Sequence, residues 1–584
     1  MGQKSNEDDG EQRRTEAEVS ALSNLDDLME EVGTHGRWNI MVILLCSFVA
    51  FVAPFQNISY QFLGATPDHW CEIEPLINAN WSQKDILNTA IPLQNNSVKY
   101  ESCKMYDYDY DKIAAQTYNL ENGGDQVNFS ILPEDVRLKE TKACTKRVFN
   151  LTQYSSTVVT KWDLVCERRA LYSMTQAISQ LGVFVGSLIF GYSSDIFGRR
   201  KIILIGTTGT FIAGFITAVS PNLTFYIFMR LTVGAMGMGA YVGTFVLAME
   251  LATTKQRSHV GMIYVFPWAL GYMILPGIAY FVRDWQWLQA ALTLPAVGLV
   301  AFFWFLPESP RWLILEGRHS EALKVLQDAA KFNRRTIPSE ASMLQAMENI
   351  KQANDKNKGD EVGEKPAMRE KIMLRVFGLL MVPWLRVRTL IVNFCWFSVS
   401  LVYYGVSLNS DNLSADPYVY IFLGGLTEVP AYLLMWPCII YLGRKKTIFL
   451  LYLIAGISIG AVTILIFGVP TTPVWIKILL SLVGKMAVTA AFHLIYIYTA
   501  ELFPTEYRSL AVGQASVCAR CGSILSPFIN DIIGQISTWS PSLLFCILSF
   551  IASGLSLMLP ETNGQEMVES EKKKKVAKIF EDKM

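Results

Sequence analysis

The sequence predicts an all-α membrane protein with twelve membrane-spanning helices arranged as two six-helix halves. Long apolar runs, a low content of charged residues and a repeat shared by the two halves of the chain carry this prediction. Only 17% of the 584 residues are charged, whereas soluble globular chains carry about 25%. The formal net charge is zero, so composition gives no electrostatic basis for nucleic-acid binding.

The apolar runs set the order of the predicted elements. About 20 apolar residues match the hydrocarbon thickness of a bilayer. Twelve such runs define predicted spans 1 to 12, at residues 38–60, 170–191, 202–220, 223–248, 259–281, 286–306, 387–408, 418–441, 447–468, 473–499, 509–533 and 541–559. The remaining segments are an N-terminal tail at 1–37, a loop at 61–169 between spans 1 and 2, a loop at 307–386 between spans 6 and 7, and a C-terminal tail at 560–584. Spans 2 to 6 lie within 170–306, and spans 7 to 12 within 387–559.

The basic residues orient these spans, because Lys and Arg accumulate in cytoplasmic loops. One set of short loops holds "FGRRK" (197–201), "TTKQR" (253–257) and "LGRKK" (442–446). The opposite set has Arg283 as its only base. We therefore expect the basic loops, the loop at 307–386 and both termini to be cytoplasmic.

The loop at 61–169 is then extracellular, and its composition agrees. It contains four cysteines and four asparagines in glycosylation sequons, namely Cys71, Cys103, Cys144 and Cys166, and Asn80, Asn95, Asn128 and Asn150. An even cysteine count outside the cell predicts two disulfides, with three pairings open. The sequons predict glycosylation.

Three motifs recur in the same order in both halves. "SSDIFGRRK" after span 2 matches "IIYLGRKK" after span 8, "ELATTKQR" after span 4 matches "ELFPTEYR" after span 10, and "LPESPR" after span 6 matches "LPETNG" after span 12. Two parallel halves related by an axis along the membrane normal are the architecture of major facilitator transporters. This architecture implies alternating access through rocking of the halves.

The motif loops predict a cytoplasmic latch. In "GYSSDIFGRRK", Asp195 can pair with basic groups or with a helix N-terminus across the seam between the halves. The alternative is that the basic residues only fix topology. The expected latch residues are Asp195, Gly198, Arg199, Arg200, Glu250, Arg257, Glu308, Arg311, Glu501 and Arg508.

Several stretches resemble a known family over nearly the whole chain. "GYSSDIFGRRK", "PESPRWL" and "PET" resemble sugar-porter-like major facilitators, while "GATPDHWC" (64–71), "AFHLIYIYTAELFPTEYR" and "ARCGSILSP" are similar to the organic cation, anion and carnitine transporter family. "TEVPAY" (427–432) and "GSILSP" (522–527) look most like its carnitine branch. The chain departs from the family in having four rather than six cysteines in the outer loop, so the family's disulfide set does not carry over.

Charged residues inside the spans mark the candidate substrate site, because charges at membrane depth face a cavity or a partner. Glu428 in span 8 can attract a cation, and Arg520 in span 11 can hold a carboxylate through two parallel hydrogen bonds. Aromatic faces on span 7 can bind quaternary ammonium. The candidate substrate residues are Arg520, Glu428, Trp396, Tyr403, Tyr404, Lys485, Phe492, His493 and Arg230.

Structural explanations stay open for several of these residues. Glu428 and Lys485 also fit a structural ion pair, and Arg520 could pair with Glu428 in the empty site. Trp396 also fits packing, and Arg230 lies in a span-4 pattern that many facilitators share. His493 fits either proton coupling or hydrogen bonding in a cavity.

The resemblance implies how charge is selected. Cation-selective members tend to carry Asp at the position of Arg520, whereas anion and carnitine members tend to carry Arg. Glu428 belongs with the cation and carnitine groups, so this chain has the carnitine-like combination. The expectation is a plasma-membrane secondary transporter of small organic cations or zwitterions such as carnitine-like, betaine-like or amine compounds.

Two alternatives remain: an organic-anion carrier and a non-transporting surface receptor. No nucleotide-binding loop or hydrolase motif is present in the sequence, so we expect no enzyme activity. We expect no cofactor and no metal. The expected partners are a small organic solute and the lipid bilayer, with Na⁺ or H⁺ as a coupling ion left open.

Overall fold

The structure is a computed structural model that describes residues 24–33, 36–93, 100–114, 140–253, 256–359, 379, 383–410, 413, 415–469 and 471–562. The chain divides into two compact units. The helical unit comprises Met1–Gln61, Ser173–Phe281 and Leu288–Met584, and the loop unit comprises Phe62–Tyr172 and Val282–Trp287. The expected extracellular loop therefore forms a unit of its own.

Long apolar helices build the first half of the chain. Their bounds are α1 Leu25–Val32, α2 Arg37–Asn57, α3 Tyr60–Leu63, α4 Glu74–Asn78, α5 Gln83–Ala90, α6 Val158–Trp162, α7 Arg169–Phe197, α8 Arg199–Ala218, α9 Leu223–Leu251, α10 Arg257–Phe281 and α11 Trp285–Thr293, which continues as a 3₁₀ helix at Leu294–Ala301 and as α12 Phe302–Phe305. Predicted spans 1 to 6 coincide with α2, α7, α8, α9, α10 and the segment that α11 opens.

The second half repeats this pattern after the loop at 307–386, whose described residues include three helices before Pro383. These are α13 Pro310–Leu315, α14 His319–Asn333 and α15 Glu340–Gly359. The helices that follow are α16 Pro383–Ser407, α17 Pro417–Leu426, α18 Glu428–Leu442, α19 Arg444–Gly468, α20 Val474–Leu502, α21 Thr505–Phe528, a π-helical turn Ile529–Ile533, α22 Gly534–Ile536 and α23 Ser540–Ser556.

Within the described residues, ten helical stretches are long and apolar enough to cross a membrane. The other two predicted spans are α21, which carries Arg520, and α23, which is shorter at Ser540–Ser556. Every predicted span thus has a helix, but the count of twelve crossings stays a prediction.

Predicted span 8 is interrupted next to Glu428. It consists of α17 and α18, which meet at Thr427. Pro430 lacks an N–H group and cannot bond back to the carbonyl of Leu426, which weakens the helix at this point. The break is local, because Thr427 keeps helical backbone angles and its N–H donates to the carbonyl of Leu423 at 3.0 Å.

The two halves of the helical unit meet along α10. A Cβ atom built on Gly425 of α17 would lie 2.9 Å from the backbone nitrogen of Met273, so the glycine permits close helix approach. The rings of Phe266 and Tyr432 are 5.8 Å apart along the same seam. A second contact joins the halves where Ser173 Oγ donates to Asp531 Oδ2 at 2.7 Å.

The loop unit is built around two small antiparallel sheets. Strand β1 (His69–Cys71) pairs with β4 (Arg147–Phe149), and β2 (Lys104–Tyr106) pairs with β3 (Thr141–Ala143). Buried Leu76, Ile86 and Tyr110 form part of its core.

Two disulfides bind these strands: Cys71–Cys144 and Cys103–Cys166. The predicted disulfides are confirmed, and one of the three open pairings is selected. Asn80 is exposed and Asn150 half-buried, while Asn95 and Asn128 lie outside the described residues.

Candidate functional site

Glu428 lies at the centre of a group of buried tyrosines. Its carboxylate accepts hydrogen bonds from the hydroxyls of Tyr403, at 2.8 Å, and Tyr432, at 2.7 Å. Only 1% of Glu428 is exposed. Both carboxylate oxygens therefore have a hydroxyl donor within the protein, as a buried polar group requires.

Lys485 of α20 supplies the positive charge next to this carboxylate. Its Nζ lies 3.8 Å from Glu428 Oε1 and donates to the carbonyl of Gly424 at 2.9 Å. The same Nζ lies over the rings of Tyr272, at 4.0 Å, and Tyr403, at 5.8 Å. The structural ion pair that the sequence left open is therefore present, and its lysine occupies an aromatic environment.

Arg520 remains outside this pair. It lies beside the hydroxyl of Tyr404 and within electrostatic reach of Tyr241 and Tyr496. Its Nε is buried and has no hydrogen-bond partner among the described residues. The structure thus pairs Glu428 with Lys485 rather than with Arg520, because the nearest base to the carboxylate comes from α20.

The opposite charges nevertheless share one site. Glu428 and Arg520 both exert electrostatic effects on Tyr404, whose ring lies 5.2 Å from that of Tyr403. Consecutive residues on α16 therefore connect the carboxylate to the guanidinium. Of the three ionised groups, Arg520 carries the one charge without an ion-pair partner in the described part of the chain.

The predicted aromatic residues have different roles in the structure. Phe492 packs on Tyr403, with 5.8 Å between ring centres, and His493 meets Tyr432 edge-on at 4.7 Å. Both lie half-buried beside the Glu428 group. The ring nitrogens of His493 have no hydrogen-bond partner among the residues described, so the expected hydrogen-bonding role finds no support there.

Trp396 is a core residue. It is fully buried, its Nε1 donates to Thr499 Oγ1 at 2.9 Å, and Tyr496 covers it at 4.2 Å. A ring enclosed in this way offers no open face to a cation. The packing role that the sequence left open for Trp396 is seen here, since α16 turns the side chain into the interface with α20, and a cation contact stays a prediction.

Arg230 belongs to a separate buried group on α9. It is fully buried, its Nη2 donates to the carbonyl of Gln56 at 3.3 Å, and its guanidinium lies 5.8 Å from the ring of Tyr60. Its Nε and Nη1 have no hydrogen-bond partner in the described segments. The described contacts link Arg230 to α2 and α3 and not to the Glu428 group.

Sequence reasoning missed four tyrosines of the site, Tyr241, Tyr272, Tyr432 and Tyr496. Tyr432 follows Glu428 by four residues and Tyr496 follows Phe492 by four, so helical spacing could have found both. Tyr241 and Tyr272 come from the other half of the chain, and only the packing of α9 and α10 reveals them.

Most of the expected latch residues of the first half, though not Arg257, form one network inside that half. Arg199 Nη2 binds Glu250 at 2.8 Å and the exposed carboxylate of Asp195 at 3.1 Å. The backbone nitrogens of Arg199 and Arg200 donate to Glu308 Oε1 at 2.8 and 3.1 Å, which caps the N-terminus of α8. Gly198 has φ +95°, and a Cβ atom there would collide with Glu308.

The second half repeats this arrangement. Arg444 binds Glu501 at 3.1 Å, and the backbone nitrogens of Arg444 and Lys445 donate to the two oxygens of Glu561 at 2.9 and 3.1 Å. Gly443 has φ +80° at the matching turn. The sequence repeat thus corresponds to a repeat of contacts.

The expected pairing of Asp195 across the seam is not seen. Its described partner is Arg199, one helical turn away in the same half. Arg311 donates to the carbonyl of Glu250 at 2.7 Å and forms an ion pair with Asp26 of α1. Arg257 is exposed at the start of α10, and Arg508 is half-buried in the first turn of α21.

Comparison with known proteins identifies the family. The profile of the family described as sugar (and other) transporter matches residues 123–573. The chain belongs to this transporter family. An organic cation transporter protein of Drosophila melanogaster is 34% identical, and the alignment covers 93% of each chain.

Another relative is the human organic cation/carnitine transporter 2, at 32% identity over 93% of this chain and 92% of its own. These relatives confirm the predicted family, whose members are transporters and not enzymes. The xylose transporter XylE from E. coli, in a partially occluded inward-open conformation, aligns with a TM-score of 0.57 over 91% of this chain and 99% of its own. At 15% identity, that match shows the major facilitator fold alone.

Proposed function

We propose that this protein is a plasma-membrane secondary transporter of small zwitterions that carry a carboxylate and a weakly hydrated ammonium group, as carnitine-like and betaine-like compounds do. The main support for this proposal is that Glu428 and Arg520, which have opposite charges, lie on either side of the adjacent residues Tyr403 and Tyr404. Arginine suits a carboxylate, and tyrosine faces with an acid behind them suit an ammonium. The names of the organic cation/carnitine relatives agree with this assignment.

The rest of the proposal concerns transport. Twelve spans, with both termini in the cytoplasm, make up the two halves. The halves rock against each other, so that the site opens to one side of the membrane at a time. The apposition of α10 with α17 and α18, together with the Ser173–Asp531 bond, supplies seam contacts that such a motion would break and reform. A coupling ion, Na⁺ or H⁺, is tested by replacing it in the uptake medium.

A second candidate function is organic-anion transport. The Lys485–Glu428 pair already compensates the acid, which leaves the positive charge of Arg520 for an anionic solute. A monocarboxylate would balance that charge and would leave the Lys485–Glu428 pair intact.

Uptake of three labelled solutes by cells expressing the protein separates these functions. The solutes are carnitine, tetraethylammonium and benzoate, compared with cells that carry the empty vector. The zwitterion proposal expects saturable carnitine uptake that exceeds uptake of the other two. Uptake of benzoate alone would establish the anion carrier, and uptake of none would reject both.

A further inference from the structure

We propose that Lys485 is a tethered cation that occupies the ammonium subsite of the empty carrier and limits entry to solutes able to displace it. This inference rests on the proposed function, because it assigns the group that the substrate's ammonium replaces. It also states the substrate class: a solute recognised first through its carboxylate at Arg520.

The environment of the Lys485 Nζ has the parts of an ammonium site. One face meets the Tyr272 ring at 4.0 Å, another meets the Tyr403 ring at 5.8 Å, and the carboxylate of Glu428 lies 3.8 Å away. Aromatic faces with a nearby acid attract organic cations. Lys485 is 1% exposed, so its own side chain fills this position.

The contacts that hold Lys485 are ones that the ammonium of a solute can replace. Its ion-pair distance to Glu428 is at the long end of the range, whereas both oxygens of Glu428 are bound more closely by tyrosine hydroxyls. Its one hydrogen bond among the described residues goes to the carbonyl of Gly424 at the break between α17 and α18. Thr427 Oγ1 also donates to that carbonyl, at 2.8 Å, so the carbonyl keeps a partner when Lys485 leaves.

These charges predict an order of affinity for the three classes of solute. A carboxylate binds at Arg520, which has no ion-pair partner in the described part of the chain, and leaves Lys485 in place. A zwitterion makes the same contact, and when its ammonium displaces Lys485 it also gains the contacts with Glu428, Tyr272 and Tyr403, so it ranks first. A cation without a carboxylate must displace Lys485 and still leaves Arg520 unbalanced, so it is the weakest of the three.

The test replaces Lys485 by methionine and measures uptake of carnitine, tetraethylammonium and benzoate at matched surface expression. Lys485→Met should raise kcat/KM for tetraethylammonium at least tenfold, because a tethered competitor acts at a high effective concentration. Lys477→Met, two turns earlier on α20, is the matched control and should leave all three uptakes unchanged. Unchanged tetraethylammonium uptake in Lys485→Met would overturn the proposal.

A second variant keeps the test decisive if Lys485→Met does not reach the surface. The double variant Glu428→Gln with Lys485→Met removes both charges of the pair, so neither partner is left buried and unpaired, which is the condition under which such pairs can be replaced without loss of stability. It should keep benzoate uptake within about threefold of wild type and show no gain for tetraethylammonium, because the acid is gone. A tenfold loss of benzoate uptake would overturn the proposal, since Lys485 would then bind the carboxylate itself.

The two hypotheses fail in different ways. If wild type takes up no carnitine while Lys485→Met gains tetraethylammonium uptake, the zwitterion function is wrong and the tethered cation stands. If wild type takes up carnitine and Lys485→Met does not increase tetraethylammonium uptake, the zwitterion function stands and the tethered-cation proposal is wrong.

Discussion

Glu428, Lys485 and Arg520 are three acidic or basic side chains within the predicted spans, and in the proposed site their pairing determines the charge that a solute meets. The sequence placed all three inside spans, because charged residues are rare in apolar runs and stand out. It could not select partners, since α18, α20 and α21 are far apart in the chain and their rotations follow from packing. The structure resolves the choice through the 3.8 Å contact between Lys485 and Glu428.

Trp396 shows a related limit at the level of a single residue. Its seven-residue spacing from Tyr403 puts both on one face of α16, as helical geometry requires. Tyr403 meets Glu428, whereas Trp396 lies against Thr499 and Tyr496. A shared face does not define a shared environment, because neighbouring helices cross that face at different points.

Replacing Trp396 by phenylalanine should therefore lower stability without changing substrate preference. The change removes the hydrogen bond to Thr499 and leaves that buried hydroxyl without it, at a cost of about 1–3 kcal/mol. Thermal unfolding of the purified protein should show a lower midpoint, while KM for carnitine stays within about twofold of wild type. A tenfold higher KM with an unchanged unfolding midpoint would contradict this prediction and would show that Trp396 contributes to substrate binding.

At the scale of elements, the turns before α8 and α19 are the clearest success of sequence reasoning. Both begin with a positive-φ glycine, and both helix N-termini are capped by a glutamate, Glu308 or Glu561, that follows the sixth span of its half. The repeat of the motifs predicted that these segments correspond, but it did not predict that the two glutamates cap the helices. The sequence did not predict that Asp195 pairs within its own half. Several basic groups are possible partners for an exposed carboxylate, and the sequence does not say which one is near.

The network around Arg199 contains one largely buried acid and one exposed acid. Glu250 lies mostly buried against Arg199, whereas the side chain of Asp195 is 73% exposed. Glu250→Gln should destabilise the protein by up to about 3–5 kcal/mol, because it leaves a buried guanidinium without its main partner. Asp195→Asn should cost no more than about 1 kcal/mol.

Thermal unfolding checks these two values, and turnover measured in the same preparations checks the latch. A latch role for Asp195 requires that Asp195→Asn slow uptake while stability and binding are kept. Equal destabilisation by both variants would refute the division between the two acids.

The loop unit carries a pH-sensitive element. Burial, together with repulsion from Arg169 and Arg147, lowers the pKa of His69, against the raising effect of its contact with the Pro67 carbonyl. The folded loop therefore holds His69 neutral, and the unfolded chain takes up a proton as pH falls through about 6.5. Stability from this residue is full above that pH and is lost as the solution becomes more acidic.

Thermal unfolding at about pH 7.5 and about pH 5.5 tests this element. Wild type should lose more stability on acidification than His69→Phe, which keeps a ring beside Phe149 but cannot be protonated. An equal loss in both proteins would show that other groups control the acid response of the loop.

At the scale of the whole molecule, hydrophobic length and the internal repeat were sufficient to predict the major facilitator fold. Every predicted span coincides with a helix, and the match to the xylose transporter shows the same fold, while the count of twelve crossings and the orientation taken from loop charge stay predictions. The sequence could not reveal which helices line the seam. Contacts such as Gly425 with Met273 join residues more than a hundred positions apart, and the tyrosines of the site come from both halves.

The central claim is that Arg520 recognises the carboxylate of a zwitterion, and uptake into proteoliposomes tests it most directly. Carnitine and choline are compared in wild type and in Arg520→Gln, since choline lacks the carboxylate. Loss of a charged hydrogen-bonded contact of about 1.5–3 kcal/mol should lower carnitine uptake by roughly 10- to 150-fold in kcat/KM. Choline uptake should fall by less than about threefold or rise, because the positive charge beside Tyr404 is removed. Equal loss of both solutes in the correctly folded variant would contradict the account.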